Sequence, residues 1–191
     1  MANRGRLVIA KLASAAAILA MSGLAVSCQD QESQTTEAEA ANGVESVTAA
    51  LAGASDLSIS SRLINSAGLG EALDGEGSYT IFMPVDEAWS AMESAEIQSL
   101  ETSEGRPQLV AALRQHIAPG FVLQADMDAA LERSGGSLVL ATMGAGPLNL
   151  RRDGEAISIG EDTGGPKIIG VPIVAGNDVI YRIDQLIPPP E

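Results

Sequence analysis

The chain has 191 residues, 46% of them hydrophobic and only 3% aromatic, with 11 Lys+Arg against 25 Asp+Glu for a formal net charge of −14. That is enough for one ordinary domain with a core built mainly from Leu, Ile, Val, Ala and Met. Arg4, Arg6 and Lys11 all precede the first acidic residue, Asp30, so the remainder carries about 17 excess negative charges; such a surface repels phosphate backbones and anionic headgroups and argues against nucleic acid as a partner.

"MANRGRLVIAKLASAAAILAMSGLAVSC" has a basic start, an apolar run from Leu12 to Met21, and then small residues. This is the layout of an export signal peptide over residues 1–27, and the run is too short to span a bilayer comfortably. The competing reading is a retained amphipathic or membrane helix. Cys28 is the only cysteine, so no intramolecular disulfide exists. It directly follows Ala25-Val26-Ser27, an arrangement that resembles the lipobox of bacterial lipoproteins, in which the cysteine becomes an acylated N-terminus. Ala25 stands where such boxes usually carry Leu, and the same tripeptide suits the ordinary signal peptidase, so plain secretion stays open. With Gln29 after the cysteine, lipidation points to the outer membrane, through an anchor worth about 0.8 kcal/mol per buried CH₂. "QDQESQTTEAEAANG" has almost no large apolar side chains and reads as an acidic, flexible tether. Residues 28–42 would then separate the lipid from a domain at 43–191.

Helical spacing begins at Val44, Val47 and Leu51 in "VESVTAALAGA" and continues through Ile59, Leu63, Ile64 and Leu69. Gly68 and Gly75 are natural stops. "SYTIFMP" reads as a buried strand ended by Pro84. Asp86 is then expected to cap a short helix, with Trp89 and Met92 three apart on one face. "GRPQLVAALRQHI" is the clearest helix: Pro107 suits its first turn, and Leu109, Leu113 and His116 share one stripe, which turns His116 inward. After Gly120, the runs "FVLQADM", "SLVLATM", "PLNLRR", "AISIG", "KIIGVPIVAG" and "DVIYRIDQLI" read as short strand segments. A helical first half leading into a strand-rich second half predicts a single α+β domain.

Three blocks, in order, resemble the fasciclin domain. "SSRLINSAGLGEALDGEGSYTIFMPVDEAWSAM" is similar to the family's first conserved block, "LVAALRQHIAPG" to its Tyr-His block, and "AGNDVIYRIDQLIPP" to its closing strand. The resemblance implies a helical N-terminal half packed on a strand-rich wedge or sandwich. It also places Asp86, Trp89, His116, Pro119, Gly120, Asn177 and Asp184 on family positions, as candidate interaction or structural residues. Four positions depart from the pattern. Val85 stands in place of Thr, and Gln115 in place of the Tyr before His116. Pro172 stands where Asp commonly precedes Ile173. Asp178 replaces the Gly after Asn177, and an Asn-Asp turn reaches left-handed angles less easily than Asn-Gly. In animal members, integrin binding is attributed to the Asp-Ile and Tyr-His regions, so these losses argue against an integrin-like ligand.

His116, the one histidine, tests the catalytic alternative. No Gly-x-Ser-x-Gly elbow supplies it with a nucleophile, although a distant serine stays open. No second His exists and Cys28 is committed to the anchor, so a zinc site lacks ligands. The favoured reading is a structural imidazole at a helix C-terminus, bonded to backbone and fixing the Pro119–Gly120 turn. A helix dipole there suits a partly charged ring. "LDGEGS" and "GEDTGG" lack the ligand spacing of a calcium loop, and "MGAGP" reads as a hairpin connection. The expectation is therefore a cell-envelope lipoprotein with no catalytic residues, metal or cofactor. It is held to a membrane at Cys28 and binds an envelope protein or polysaccharide as an adhesion module. The alternative is a carrier that holds a small hydrophobic ligand in a cavity between helices and strands.

Overall fold

The computed structural model describes residues 45–160 and 164–189; the expected signal peptide and tether, with Cys28, lie outside the described residues, as do Glu161 and Asp162 of "GEDTGG". The first helix, α1 (Val47–Gly53), begins at Ser46, whose Oγ accepts the Ala49 N–H at 3.3 Å. Next, α2 (Ser58–Ala67) ends at Gly68, which takes a φ of 74° and donates its N–H to the Asn65 carbonyl at 3.0 Å. A short α3 (Gly70–Leu73) leads into strand β1 (Tyr79–Pro84), followed by α4 (Asp86–Trp89) and α5 (Ser94–Leu100). Then come α6 (Arg106–Gln115), β2 (Ile117–Pro119) and α7 (Gln124–Arg133). The remainder is β3 (Ser137–Leu140), β4 (Leu148–Asp153), β5 (Ala156–Ile159), β6 (Ile168–Ala175) and β7 (Asp178–Ile183). Among the described residues no helix is long and apolar enough to cross a membrane.

The strands make two sheets, a four-stranded one in the order β2-β1-β7-β6 and a three-stranded meander β3-β4-β5. Within the larger sheet β1 and β7 run parallel, with Ile81 opposite Ile180, while β2 and β6 are antiparallel to their neighbours. Alternation along the two central strands feeds a core on each face. Ile81, Met83 and Ile180 meet the helical layer at Leu51, Leu63, Leu109 and Leu113. Phe82, Val179, Tyr181 and Ile183 meet Met127 and Leu131 of α7 and Leu148, Leu150 and Ile157 of the smaller sheet. The Phe82 and Tyr181 rings stack with centroids 5.6 Å apart. Covering both faces explains why "YTIFM" and "VIY" read as unbroken apolar runs. The α+β class holds, with the two halves of the chain sharing one sheet.

Three local expectations are corrected. "FVLQADM" is not a strand: Leu123 is its last extended residue, and Gln124 opens α7, which buries Met127 and Leu131 at i, i+4. Asp86 does not cap the helix it starts, since α4 has Val85 at its N-cap and no side-chain cap bond. Its carboxylate instead reaches back to the start of α2, accepting the Ile59 N–H at 2.8 Å and the Ser58 hydroxyl. The β6–β7 turn is not Asn-Asp: Ala175 pairs with Asp178, so the connecting residues are Gly176 and Asn177, and Gly176 takes the left-handed φ of 60°. Asp178 is a buried strand residue whose Oδ1 accepts the Tyr79 N–H at 2.6 Å. Loss of water around it raises its carboxyl above the ordinary value, against the pull of that hydrogen bond.

Candidate functional site

The last turn of α6 carries Leu113 and Gln115 inward and leaves the small side chains of Ala111 and Ala112 exposed. His116 caps this helix and is buried, 3% exposed. Its Nε2 accepts the Ile187 N–H at 3.3 Å, which fixes the proton on Nδ1, and Nδ1–H donates to the Ala112 carbonyl at 2.9 Å. Burial holds the ring well below its ordinary value, at about 4, against a smaller opposing effect of the Ala112 carbonyl. The partly charged imidazole expected from the helix dipole is thus a neutral one, because desolvation outweighs a dipole that acts over a single turn. Nor does the ring hold the Pro119–Gly120 turn. Gly120 does so itself, at a φ of 105°, donating to the Ser78 carbonyl at 2.7 Å and accepting the Thr80 hydroxyl at 2.7 Å. What His116 ties down is the segment after β7. With both nitrogens engaged, neither is available to a serine or a metal ion.

Gln115, on the family's tyrosine position, performs a second tie. Its Nε2 donates to the Gly146 carbonyl at 2.9 Å and its Oε1 accepts the Gly146 N–H at 3.3 Å, so it clamps the β3–β4 connection. Gly144 sits directly on this clamp: a Cβ there would lie 2.5 Å from Gln115 Oε1 and 2.9 Å from the Gln115 backbone. Between α6, the clamped loop and the segment 186–189 lies a cavity of about 780 Å³. Trp89, Met92, Leu100, Leu109, Met143 and Leu186 give it an apolar lining, with Ala111, Ala112 and Gly144 leaving the space open. Its described polar lining is Gln108, Arg114, Gln115 and His116, and the last two are already committed to backbone.

Of the other candidate positions, Trp89 alone reaches this cavity. It is 3% exposed and donates its indole N–H to Ser60 Oγ at 2.9 Å, while the Ser60 hydroxyl donates to the Pro84 carbonyl at 2.6 Å. Asn177 reaches the 76–78 segment through the Gly77 carbonyl and Ser78 Oγ, on the same side as Gly120. Asp184 accepts the Lys167 N–H at 2.7 Å. Of the seven positions, therefore, Trp89 and His116 meet at the cavity, while Asp86, Pro119, Gly120, Asn177 and Asp184 bind backbone segments elsewhere. Among the described residues no group of three or more His, Cys, Asp and Glu is placed to hold a metal ion. Sequence reasoning missed Gln115, Arg114 and the 143–145 wall. The available signal was the clustering of small residues at 111, 112, 144 and 145.

The family profile described as the fasciclin domain matches residues 55–189. Protein sll1483 of Synechocystis sp. (strain ATCC 27184 / PCC 6803 / Kazusa) is 29% identical over 127 residues, covering 66% of this chain and 64% of that protein. Among solved structures, the FAS1 domain pair of the insect cell adhesion molecule Fasciclin I superposes with a TM-score of 0.65 at 17% identity, over 75% of this chain and 51% of that one. The chain thus spans less than two thirds of the length of these relatives.

Proposed function

This chain belongs to the fasciclin domain family, and on that premise we propose that it is an exported cell-envelope lipoprotein, held at the outer membrane by acylated Cys28, whose domain mediates adhesion to an envelope protein or polysaccharide. The observation that carries the reading is the family match over 55–189, and the similar solved domain pair comes from a cell adhesion molecule. The tether supplies reach, and many anchored copies convert a weak contact into a durable one. Contact falls to the exterior, since Trp89 and His116 are buried. The edge strand β6 exposes Val171 and Val174 there, 77% and 53% accessible. Crosslinking on intact cells, followed by recovery of the protein, is expected to bring down a defined protein or polysaccharide; recovery of membrane lipid alone overturns adhesion. Cys28→Ser is expected to move the protein from the membrane fraction to the soluble one, and unchanged retention refutes the anchor.

The cavity supports a second reading, a carrier for a small hydrophobic molecule. Its volume of about 780 Å³ falls within the range of small-ligand sites, roughly 300–1,000 Å³, and its lining is mostly apolar with few polar groups.

A further inference from the structure

We propose that this cavity takes a single-chain amphiphile with an anionic head, of the long-chain monocarboxylate class, and that Arg114 receives the head. The inference rests on the carrier reading and names its ligand.

Arg114 is the one charged side chain among the described residues that line the cavity, and no carboxylate is among them. Elsewhere among the described residues Arg62, Arg152, Lys167 and Arg182 are already paired with a carboxylate, at 3.3, 2.5, 2.8 and 2.7 Å. Arg114 makes no ion pair among the described residues. A guanidinium presents a planar fork that matches a carboxylate with two parallel hydrogen bonds. It also repels a cationic head.

Of the three other polar groups in the lining, His116 is neutral with both nitrogens engaged, and Gln115 is spent on Gly146. What remains is an apolar surface with polar character confined to Gln108 and Arg114. A sugar or a peptide backbone would leave several buried donors and acceptors unpaired on such a lining, whereas an alkyl chain has none to satisfy. Apolar body and single anionic head correspond to apolar wall and single cation.

The test uses the full chain carrying Cys28→Ser, so that no protein-linked acyl chain competes, titrated calorimetrically without detergent. The probes are dodecanoate, decanoate and dodecanol. Dodecanoate is expected to bind about tenfold more tightly than dodecanol, through its charge-assisted contact. It is also expected to bind about tenfold more tightly than decanoate, from two further buried methylenes. Arg114→Gln is expected to abolish the preference for dodecanoate over dodecanol, chiefly by weakening dodecanoate. Arg114→Lys is expected to retain most of it, and melting curves confirm that each variant folds. Ala112→Trp, which fills the cavity from an exposed helix position, is expected to weaken both probes at least about tenfold. Equal binding of dodecanoate and dodecanol, or a preference that survives Arg114→Gln, overturns the anionic-head assignment and leaves the carrier reading standing. No binding of any probe, or binding indifferent to Ala112→Trp, overturns both.

Discussion

The two faces of the larger sheet are covered in different ways. On the face shared with α7 and the smaller sheet, Phe82 and Tyr181 stack and Met127, Leu131 and Leu150 are fully buried around them. The Tyr181 hydroxyl donates to the Val122 carbonyl at 2.9 Å, and burial, helped by Asp128 and Asp126, pushes the phenol up to about 12. On the helical face, Ile81, Met83 and Ile180 are fully buried against the helices, but the outer margin, from Trp89 and Met92 to Leu186, opens into the cavity. Each face uses one buried polar ring to fasten a loop: Tyr181 holds the segment before α7, and His116 holds the segment after β7. Fully packed aromatic area stabilises the fold, while small side chains and a clamped loop keep space open beside an equally buried imidazole.

The largest effect is expected on the packed face. Tyr181→Ala removes the stacked ring and its hydrogen bond and is expected to cost about 3–5 kcal/mol in urea unfolding. A loss below about 1 kcal/mol would mean that this face is no better packed than the other. A smaller effect is expected at the cavity margin, where His116→Ala leaves the Ile187 N–H without its partner and is expected to cost about 1–3 kcal/mol. The histidine also gives this face a pH dependence. Its folded value, about 4, lies below the ordinary 6.5, so the unfolded chain binds more protons between these values. Its contribution is therefore complete above about pH 6.5 and is lost as pH falls toward about 4, up to about 3 kcal/mol. Urea unfolding across that window is expected to show the fall in the native chain and a flatter curve in His116→Gln; parallel curves would detach the dependence from the ring. The smallest effect is expected at Asp86→Ala, about 1 kcal/mol, from the lost cap on α2. Faster hydrogen exchange confined to the first turn of α2 checks it, and unaltered exchange there would refute the capping role.

Local pattern carried the elements whose burial follows their own periodicity. The Leu109–Leu113–His116 stripe and the unbroken runs of β1 and β7 announced themselves because each side chain meets a wall fixed by its own position in the helix or strand. The failures have one source, which is tertiary context. "FVLQADM" begins like a strand, and only Leu131, beyond the run, completes the α7 stripe. Asp86 sits at a helix start, yet its carboxylate serves another helix 27 residues earlier. His116 stands at the predicted helix end, but burial, and not that position, lowers its pKa. The cavity was least legible of all. A void is the absence of side chains, and Ala111, Ala112 and Gly144 mark it only once α6 and the β3–β4 connection are known to face each other.

The parallel pairing of β1 with β7 joins residues far apart in the chain, beginning with Thr80 opposite Val179. During synthesis β1 leaves the ribosome long before the strand that completes its sheet, and until then one of its edges lies bare, with the closure entropy of that long span still to be met. Assembly of this domain is therefore a late, nearly all-at-once event governed by the emergence of its final quarter, and a nascent chain stalled before that point would be prey for proteases and holdase chaperones.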